Sequence, residues 1–360
     1  MRFYISNNST SLTSELKKFA YTATVEAEYG STTVRGNTLT LAHHGENAGN
    51  PPPCTAKVPQ FYIVATDSEG KLGMCVDNTL TWEEATMAQW QHDEYGEGRD
   101  IVRTEDFINV VGISHFDLDT LGGIMAILGR RKENNQDKNF WRTAGLVDIK
   151  GVHHLDNCLR EGVINFTGEV MESEELMATF AWLEGSTKDS LNAFWAWSQE
   201  NKLYAPRDGS VLDCTDFIMK AIDVIERILD NDKELLDAGY AWATSMSKVE
   251  KESFSQVVGD KVIVRMSDNF VNHLYNHDGK TYAAVVGFNT KTGSITVSLA
   301  DPIKGISCKR LVQGLWGDQA GGHDGIAGSP RDESLGFKHA VNAAEVLYAQ
   351  MVRLDLSTNS

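Results

Sequence analysis

Three side chains that can bind a metal alternate along one short segment, at His115, Asp117 and Asp119. If this segment stays extended, all three side chains point to the same side. Two carboxylates and an imidazole gathered there would repel one another unless cations lay between them. Such a group can hold one or two divalent metals that position water and a phosphate. The plainer interpretation is a strand end followed by a helix that Asp119 caps, which explains one carboxylate but not the other two groups.

Two pairs of adjacent histidines offer further ligands. His153 and His154 follow Asp148, and imidazole with carboxylate suits Mn²⁺, Fe²⁺ or Zn²⁺. Because a two-metal site needs more ligands than the first three residues supply, we expect Asp148 and His153 to complete it. The other pair, His43 and His44, lies at a strand end before a Gly/Asn/Pro loop. Loop histidines are more often surface residues than ligands, so the sequence leaves open whether this pair contacts the site.

Three more aspartates are candidates for the metal shell. Asp67 ends a short apolar run, but a turn-forming Asp-Ser-Glu-Gly sequence explains it equally well. Asp213 and Asp216 stand at the start of a predicted helix, where they are most simply capping and first-turn acids. The sequence alone does not decide whether any of the three binds a metal.

A glycine-rich loop over residues 316–330 is the last candidate. Its glycines, Gly321 and Gly322 among them, let the backbone approach a ligand closely and present N–H groups to an anion. His323, between these glycines and Asp324, can donate a hydrogen bond to a phosphate. A glycine-rich loop alone does not identify a function.

The elements around these residues predict an α/β fold. The nearly all-apolar run 108–113 is typical of a strand buried on both faces in a parallel sheet. A helical pattern follows it, so the 115–119 group lies at the carboxyl end of a strand, where open α/β sheets place their sites. Residues 21–28 and 32–41 alternate in polarity around a turn near Gly30, which predicts a β-hairpin.

The remaining chain changes from helical to strand periodicity. Residues 172–253 are predicted to be helical, whereas residues from 261 onward have a period of two, with a hairpin between 281–288 and 294–299. We therefore expect three parts. These are a metal-binding α/β domain with a Rossmann-like parallel sheet and an extra N-terminal hairpin over 1–185, a helical connector over 186–256, and a smaller α+β substrate-binding domain over 257–360.

The bulk composition narrows the class of partner. With 50 acidic and 33 basic residues, the net charge of −17 argues against a basic track for long nucleic acid. The five scattered cysteines include no CxxC pair, which favours a reducing compartment. The N-terminal segment lacks the apolar core of a signal peptide, and no apolar run reaches membrane-spanning length. We expect a cytoplasmic protein without a membrane partner; a monomer and a homodimer both stay open.

Two of these motifs together resemble the DHH phosphoesterase superfamily. His115-Phe-Asp-Leu-Asp119 is similar to the first motif of that family, in its His-x-Asp-x-Asp form. The strand Ser294–Asp301, the helix after it and Gly321-Gly-His-Asp-Gly-Ile-Ala-Gly328 resemble the Gly-Gly-His signature of the DHH-associated domain. The resemblance covers residues 105–355 in outline.

The chain departs from the family in its middle motifs. Val152-His-His154 lacks the Asp that precedes the family's two histidines and comes only 38 residues after His115. Thr120 replaces a common Gly. Ala42-His-His44 would fill the missing role if the N-terminal topology were rearranged.

The resemblance implies a two-metal, usually Mn²⁺-dependent, phosphodiesterase of the oligoribonuclease or single-strand exonuclease type. His115, Asp117 and Asp119 would be metal ligands, His154 or His43 would orient a ligand or donate a proton, and the 321–323 segment would hold the phosphate or terminal nucleotide of the substrate. The expected reaction is attack of metal-activated water on a short oligonucleotide or small nucleotide. The alternatives are a cyclic-dinucleotide or nucleotide phosphatase, and a nucleotide-binding sensor with a degenerate site.

Overall fold

Strand β8 (Val110–Ile113) is fully buried and occupies an inner position of a six-stranded sheet in the computed structural model. Its two neighbours, β1 (Arg2–Ile5) and β2 (Thr22–Val25), both run parallel to it. The prediction of a buried parallel strand from the apolar run 108–113 is therefore confirmed. The protein is a mixed α/β protein with sheets that contain parallel strands.

The first sheet has the strand order β3-β4-β2-β8-β1-β9. Its four inner strands are parallel, whereas β3 and β9 are antiparallel edges. The bounds of the strands not yet given are Val34–Arg35 for β3, Thr38–Leu41 for β4 and Leu212–Asp213 for β9.

The predicted hairpin over 21–41 is wrong. Strands β2 and β4 are neighbours, but they are parallel, with Thr22 opposite Thr38 and Val25 opposite Leu41. A period of two identifies a strand and its two faces, but it carries no information on the direction of the partner strand. The parallel arrangement brings the carboxyl ends of both strands to the same edge of the sheet.

The chain folds into two compact units. The first contains residues 1–149 and 156–240, and the second contains 150–155 and 241–360. The first unit also has an antiparallel three-stranded sheet of order β6-β5-β7. Its strands are β5 (Phe61–Thr66), β6 (Leu72–Cys75) and β7 (Arg99–Arg103).

Helices of the first unit include those of the predicted connector up to residue 240. The ten α-helices described in the chain are α1 (Ser9–Leu16), α2 (Thr104–Phe107), α3 (Leu118–Ile127), α4 (Asn135–Lys150), α5 (Leu155–Thr167), α6 (Glu174–Glu200), α7 (Thr215–Leu229), α8 (Lys233–Glu252), α9 (Cys308–Trp316) and α10 (Phe337–Thr358). Short 3₁₀ turns cover Pro53–Thr55 and Val152–His154.

The second unit is built on a six-stranded sheet of order β10-β11-β14-β15-β17-β16. The predicted hairpin is confirmed, since β14 and β15 pair antiparallel. Apolar side chains of this sheet and of α9 and α10 form one buried core. The strands are β10 (Phe254–Val258), β11 (Val262–Ser267), β14 (Ala284–Asn289), β15 (Ile295–Leu299), β16 (Gly321–Gly322) and β17 (Ile326–Gly328), with a small separate pair of β12 (Asn276–His277) and β13 (Lys280–Thr281).

The structure describes residues 1–27, 34–35, 38–44, 47, 49–58, 61–66, 72–75, 99–132, 134–167, 174–322, 324–330 and 334–358. Among these, no helix has the length and apolar character needed to cross a membrane.

Candidate metal centre

Three parallel strands of the first sheet each deliver a polar residue just beyond their carboxyl ends. Glu26 directly follows β2, His43 stands two residues after β4, and His115 stands two residues after β8. Since these strands are adjacent and parallel, their ends meet at one edge of the sheet. Sites of open α/β sheets lie at this kind of edge.

Helix α3 begins at this edge and sets the positions of two aspartates. Asp117 is the N-cap residue, and its Oδ1 accepts a 2.8 Å hydrogen bond from the Thr120 N–H. Asp119 lies in the first turn of the helix. The segment is therefore not extended through residue 119, and the cap of the helix is Asp117, not the Asp119 of the plainer interpretation. The strand ends at Ile113, and Asp117 has the extended backbone (φ −148°, ψ −169°) that an N-cap residue adopts.

A short turn that packs on α3 holds Asp119. The Cys54 N–H donates a 2.9 Å hydrogen bond to Asp119 Oδ1. The 3₁₀ turn carrying Cys54 can come this close because α3 has glycines at 122 and 123: a Cβ atom at Gly122 would lie 2.3 Å from Cys54 Cβ, and one at Gly123 would lie 2.7 Å from Pro53 Cβ. The Gly122-Gly123 pair thus lets a backbone donor reach Asp119.

His43 stands at the centre of the cluster. Its Nε2 lies 3.0 Å from Oδ2 of Asp148, which α4 contributes, and 3.7 Å from Oδ2 of Asp119. The same nitrogen lies 3.7 Å from Glu26 Oε1, while Glu26 Oε2 lies 3.3 Å from Nε2 of His44. The two oxygens of the Glu26 carboxylate therefore face two different imidazoles.

Several atoms of this cluster are buried without a hydrogen-bond partner among the described residues. They are Glu26 Oε1 and Oε2 and Asp119 Oδ2. Burying carboxylate oxygens without donors costs several kcal/mol, and a cation among them would offset this cost. Two groups of side chains could each hold an ion, because the ligand atoms inside each group all lie within 4.8 Å of one another. One group is Glu26, His43 and His44, and the other is His43, Asp119 and Asp148. Nitrogen and carboxylate donors of this kind fit Mn²⁺, Fe²⁺ or Zn²⁺.

Two carboxyl groups of the cluster, Glu26 and Asp119, have raised pKa values, because they are buried and lie close to other carboxylates. Burial, and then the nearby Asp119 carboxylate, raise the pKa of Glu26 to about 8. Burial also raises the pKa of Asp119 to about 6, against the hydrogen bonds from Cys54 that lower it. In the ion-free protein these two carboxyl groups therefore hold protons well above the pH at which exposed acids lose them.

His115 and Asp117 form a pair at the edge of the cluster. Nε2 of His115 lies 3.0 Å from Asp117 Oδ2, and its Nδ1 lies 2.8 Å from Ser114 Oγ, which donates to the backbone carbonyl of Glu26. Burial would lower the pKa of His115, but the Asp117 carboxylate and then Glu26 raise it to about 9. Burial opposes the ionised form of Asp117, but the hydrogen bond from His115 lowers its pKa. In the ion-free protein the pair is an imidazolium and a carboxylate.

The structure brings together some of the predicted ligands. Asp119 and Asp148 lie in one group with His43, and His115 with Asp117 lies beside Glu26. The residue that sequence reasoning missed is Glu26. Its only sequence signal is its position directly after a strand, and that signal has meaning only once β2 is known to be parallel to β4 and β8.

His153 and His154 belong to the second unit. His153 Nε2–H donates a 2.6 Å hydrogen bond to the Ala300 carbonyl, and His154 Nε2 lies 3.1 Å from Asp301 Oδ1. The His153 ring also packs 4.5 Å from the Tyr275 ring. In this arrangement His153 has only Nδ1 left for any other ligand. The metal role predicted for His153 and the catalytic role predicted for His154 stay predictions.

Other predicted residues have local roles or lie outside the described residues. Asp213 Oδ1 accepts a hydrogen bond from the Thr215 N–H, and Asp216 is in the first turn of α7. Gly321 and Gly322 form β16 and are exposed; at Gly322 (φ +145°) a Cβ would lie 2.5 Å from the Ile326 carbonyl oxygen. Asp67 and His323 are outside the part of the chain that the structure describes.

No protein-family model matches this chain, and no curated protein matches it.

Proposed function

We propose that the first unit is a metal-dependent phosphohydrolase, a phosphodiesterase that acts on short oligonucleotides or small nucleotides with two divalent ions. The observation that carries this proposal is the Glu26 carboxylate. It is buried, neither oxygen has a hydrogen-bond partner among the described residues, and each oxygen faces a different imidazole. A cation held by this carboxylate would supply the partner that both oxygens lack. In this proposal, the four parallel strands form a Rossmann-like domain with its site at their carboxyl edge.

The candidate ligands form two groups that share His43. The group of His43, Asp119 and Asp148 would hold one ion, and the group of Glu26, His43 and His44 would hold the other. His115 and Asp117, which lie beside Glu26, are the predicted additional ligands of the centre. Mn²⁺ is the ion that the family resemblance favours. When bound, the ions would activate a water molecule and neutralise charge on a phosphate.

Hydrogen bonds from the backbone keep the carboxylates of this centre in position. The Cys54 N–H holds Asp119 through Oδ1, which directs Oδ2 towards His43. The Thr120 N–H holds Asp117 through Oδ1 in the same way and leaves Oδ2 for His115 or for an ion. Partners of this kind orient ligands and are needed for tight metal binding.

A pocket beside Asp117 supports a substrate with a planar ring. It has a volume of about 240 Å³, and its walls include Phe116, Trp195 and Tyr204. Phe116 is held in an aromatic cluster, with its ring centroid 4.9 Å from that of Phe217 in a perpendicular arrangement. Aromatic walls next to a phosphate-activating centre favour a nucleotide, whose base can stack on them.

The test is turnover of a panel of labelled dinucleotides, trinucleotides and cyclic dinucleotides, with Mn²⁺ and with EDTA. We expect metal-dependent cleavage that Glu26→Gln reduces by about 10²–10³-fold, the scale of losing a group that stabilises the transition state. Glu105→Gln is the matched control, because Glu105 is a surface acid paired with Arg103.

Two outcomes would contradict the proposal. Cleavage that EDTA does not affect would exclude the metal mechanism. Saturable nucleotide binding without turnover under any divalent metal would instead identify a sensor with an inactive site.

A further inference from the structure

A basic pocket lies in the first unit, next to the metal cluster. It has a volume of about 490 Å³ and is lined by the 52–57 segment, by residues around 131 and by α4. Five of its twelve lining residues are basic, and among the described residues no Asp or Glu lines it. The whole chain, in contrast, carries a net charge of −17. The five are Lys57, Arg131, Lys132, Lys138 and Arg142. Of these, Lys132 is paired with Asp230, which is not a lining residue.

Backbone carbonyl groups orient both arginines. The Arg131 guanidinium donates to the carbonyl oxygens of Cys54 and Ala56, and Arg142 Nη1 donates a 3.1 Å hydrogen bond to the Gly162 carbonyl. A guanidinium group held by its edge keeps a fixed plane, which suits recognition of phosphate oxygens by two parallel hydrogen bonds. The pocket thus has pre-oriented cations.

The pocket and the metal cluster share structural elements. Cys54 lines the pocket, and its N–H donates to Asp119 on the side of the metal cluster. On α4, Asp148 follows the lining residues Gly145 and Trp141 by three and seven positions, so all three lie on one face of the helix. A ligand in the pocket would therefore lie one helical turn from a proposed metal ligand.

An unused hydrogen-bond donor lies in the pocket wall. Trp141 lines the pocket and is only 3% exposed, and its indole Nε1 has no hydrogen-bond partner among the described residues. An indole N–H can only donate, so its partner would be a hydrogen-bond acceptor. The Nε1 atom is buried in this wall, and a ligand oxygen that reached it would find a donor.

We infer that this pocket binds phosphate groups of the substrate other than the one attacked. The ligand class is therefore a compound with two or more linked phosphate groups. An inorganic polyphosphate, a nucleoside triphosphate and a 5′-phosphorylated oligonucleotide share this chemistry. The link to catalysis rests on the proposed function, whereas phosphate binding by the pocket does not.

The test is binding of inorganic tripolyphosphate in EDTA, measured by calorimetry. Lys57 and Lys138 are exposed lining residues, so Lys57→Glu with Lys138→Glu changes the charge of the pocket without touching the metal ligands. We expect affinity to fall at least tenfold. Lys17→Glu with Lys220→Glu is the control, because it changes the net charge equally at two exposed lysines outside the pocket. Lys57→Gln with Lys138→Gln should give a smaller loss and covers the case in which charge reversal prevents folding.

Parallel arms with ATP and a 5′-phosphorylated trinucleotide identify the source of the phosphate groups. If all three ligands depend on Lys57 and Lys138, the linked phosphates alone are recognised. If only one does, that compound class is the ligand. Absence of binding of all three ligands to the wild type, or equal losses in the pocket variant and its control, would overturn the inference.

The hydrolysis assay separates this inference from the proposed function. A raised KM with an unchanged kcat in the pocket variant supports both. Binding that depends on the pocket in a protein that hydrolyses nothing would keep the phosphate site and refute the catalytic proposal. Metal-dependent hydrolysis with an unchanged KM in the pocket variant would refute the pocket and keep the catalytic proposal.

Discussion

Replacing Glu26 by Gln should remove a pH-dependent destabilisation of the ion-free protein. The Glu26 side chain is only 1% exposed, and its pKa is raised from 4.5 to about 8. Because the folded state holds this proton more tightly than the unfolded state, the free energy of unfolding falls as the pH rises between these values. Each tenfold change in proton affinity corresponds to about 1.4 kcal/mol, which sets an upper limit of about 5 kcal/mol.

Other titratable groups also contribute to the change of the free energy of unfolding with pH, and their contributions have to be taken into account. The raised pKa of His115, about 9, stabilises the fold below its ordinary value near 6.5 and loses this contribution as the pH rises towards 9. His115 and Glu26 therefore both lower the free energy of unfolding as the pH rises. The difference between the wild type and Glu26→Gln at each pH gives the Glu26 contribution together with its coupling to His115, because Glu26 helps to raise the pKa of that imidazole.

The assay is urea unfolding in EDTA between pH 5 and 8.5, repeated with Mn²⁺. We expect the wild type to lose stability with rising pH, Glu26→Gln to lose a few kcal/mol less, and Mn²⁺ to restore stability at high pH in the wild type only. A wild type whose stability is constant over this range, or a variant with the same slope, would refute the reasoning. Stabilisation of Glu26→Gln by Mn²⁺ equal to that of the wild type would remove Glu26 from the metal centre.

Three further perturbations test the parts around this carboxylate. Asp119→Asn should weaken Mn²⁺ binding, measured by calorimetry, by roughly tenfold or more. The melting temperature in EDTA should stay the same or rise. An unchanged Mn²⁺ affinity would exclude Asp119 as a ligand. Gly122→Ala should lower the free energy of unfolding by about 1–3 kcal/mol and weaken metal binding, because the new methyl group meets Cys54. The control Gly185→Ala, on a helix with open space around this position, should be neutral or stabilise the protein by about 0.5–1 kcal/mol. Equal effects of the two substitutions would contradict the packing argument. Arg265→Met should destabilise the second unit by at least about 1–3 kcal/mol, the cost of leaving a buried acceptor without its donor. This 1% exposed side chain donates to three backbone carbonyl oxygens and a serine hydroxyl. Metal content should not change, and a wild-type melting temperature would contradict this role.

The histidine pairs illustrate how far a motif can be interpreted without a fold. His43-His44 and His153-His154 are alike in sequence. In the structure His43 has three carboxylates within 4 Å of its Nε2, whereas His153 donates to a backbone carbonyl. The carboxylates around His43 come from elsewhere in the chain, so neither pair's own neighbours in sequence distinguish a ligand from a structural histidine.

Local pattern was enough to predict the elements with strong periodicity. The buried strand β8, the helix after it and the β14–β15 hairpin follow from apolar runs and turn residues, because burial and turn geometry depend on nearby side chains. The same local reasoning identified Asp119 and Asp148 as ligand candidates, since carboxylates at the end of a strand or helix are visible in the sequence. It also identified Asp117 as a ligand candidate, but it did not predict that Asp117 is the helix cap.

Tertiary structure decided the direction of β4 relative to β2, and with it the composition of the site. Alternating polarity is identical for parallel and antiparallel partners, so the sequence by itself could not exclude a hairpin. Only the parallel pairing places Glu26 and His43 at one edge of the sheet, beside an aspartate that a distant turn holds through the Cys54 N–H. The sequence determined which strands and acids this protein has, and the pairing of the strands determined which of those acids meet.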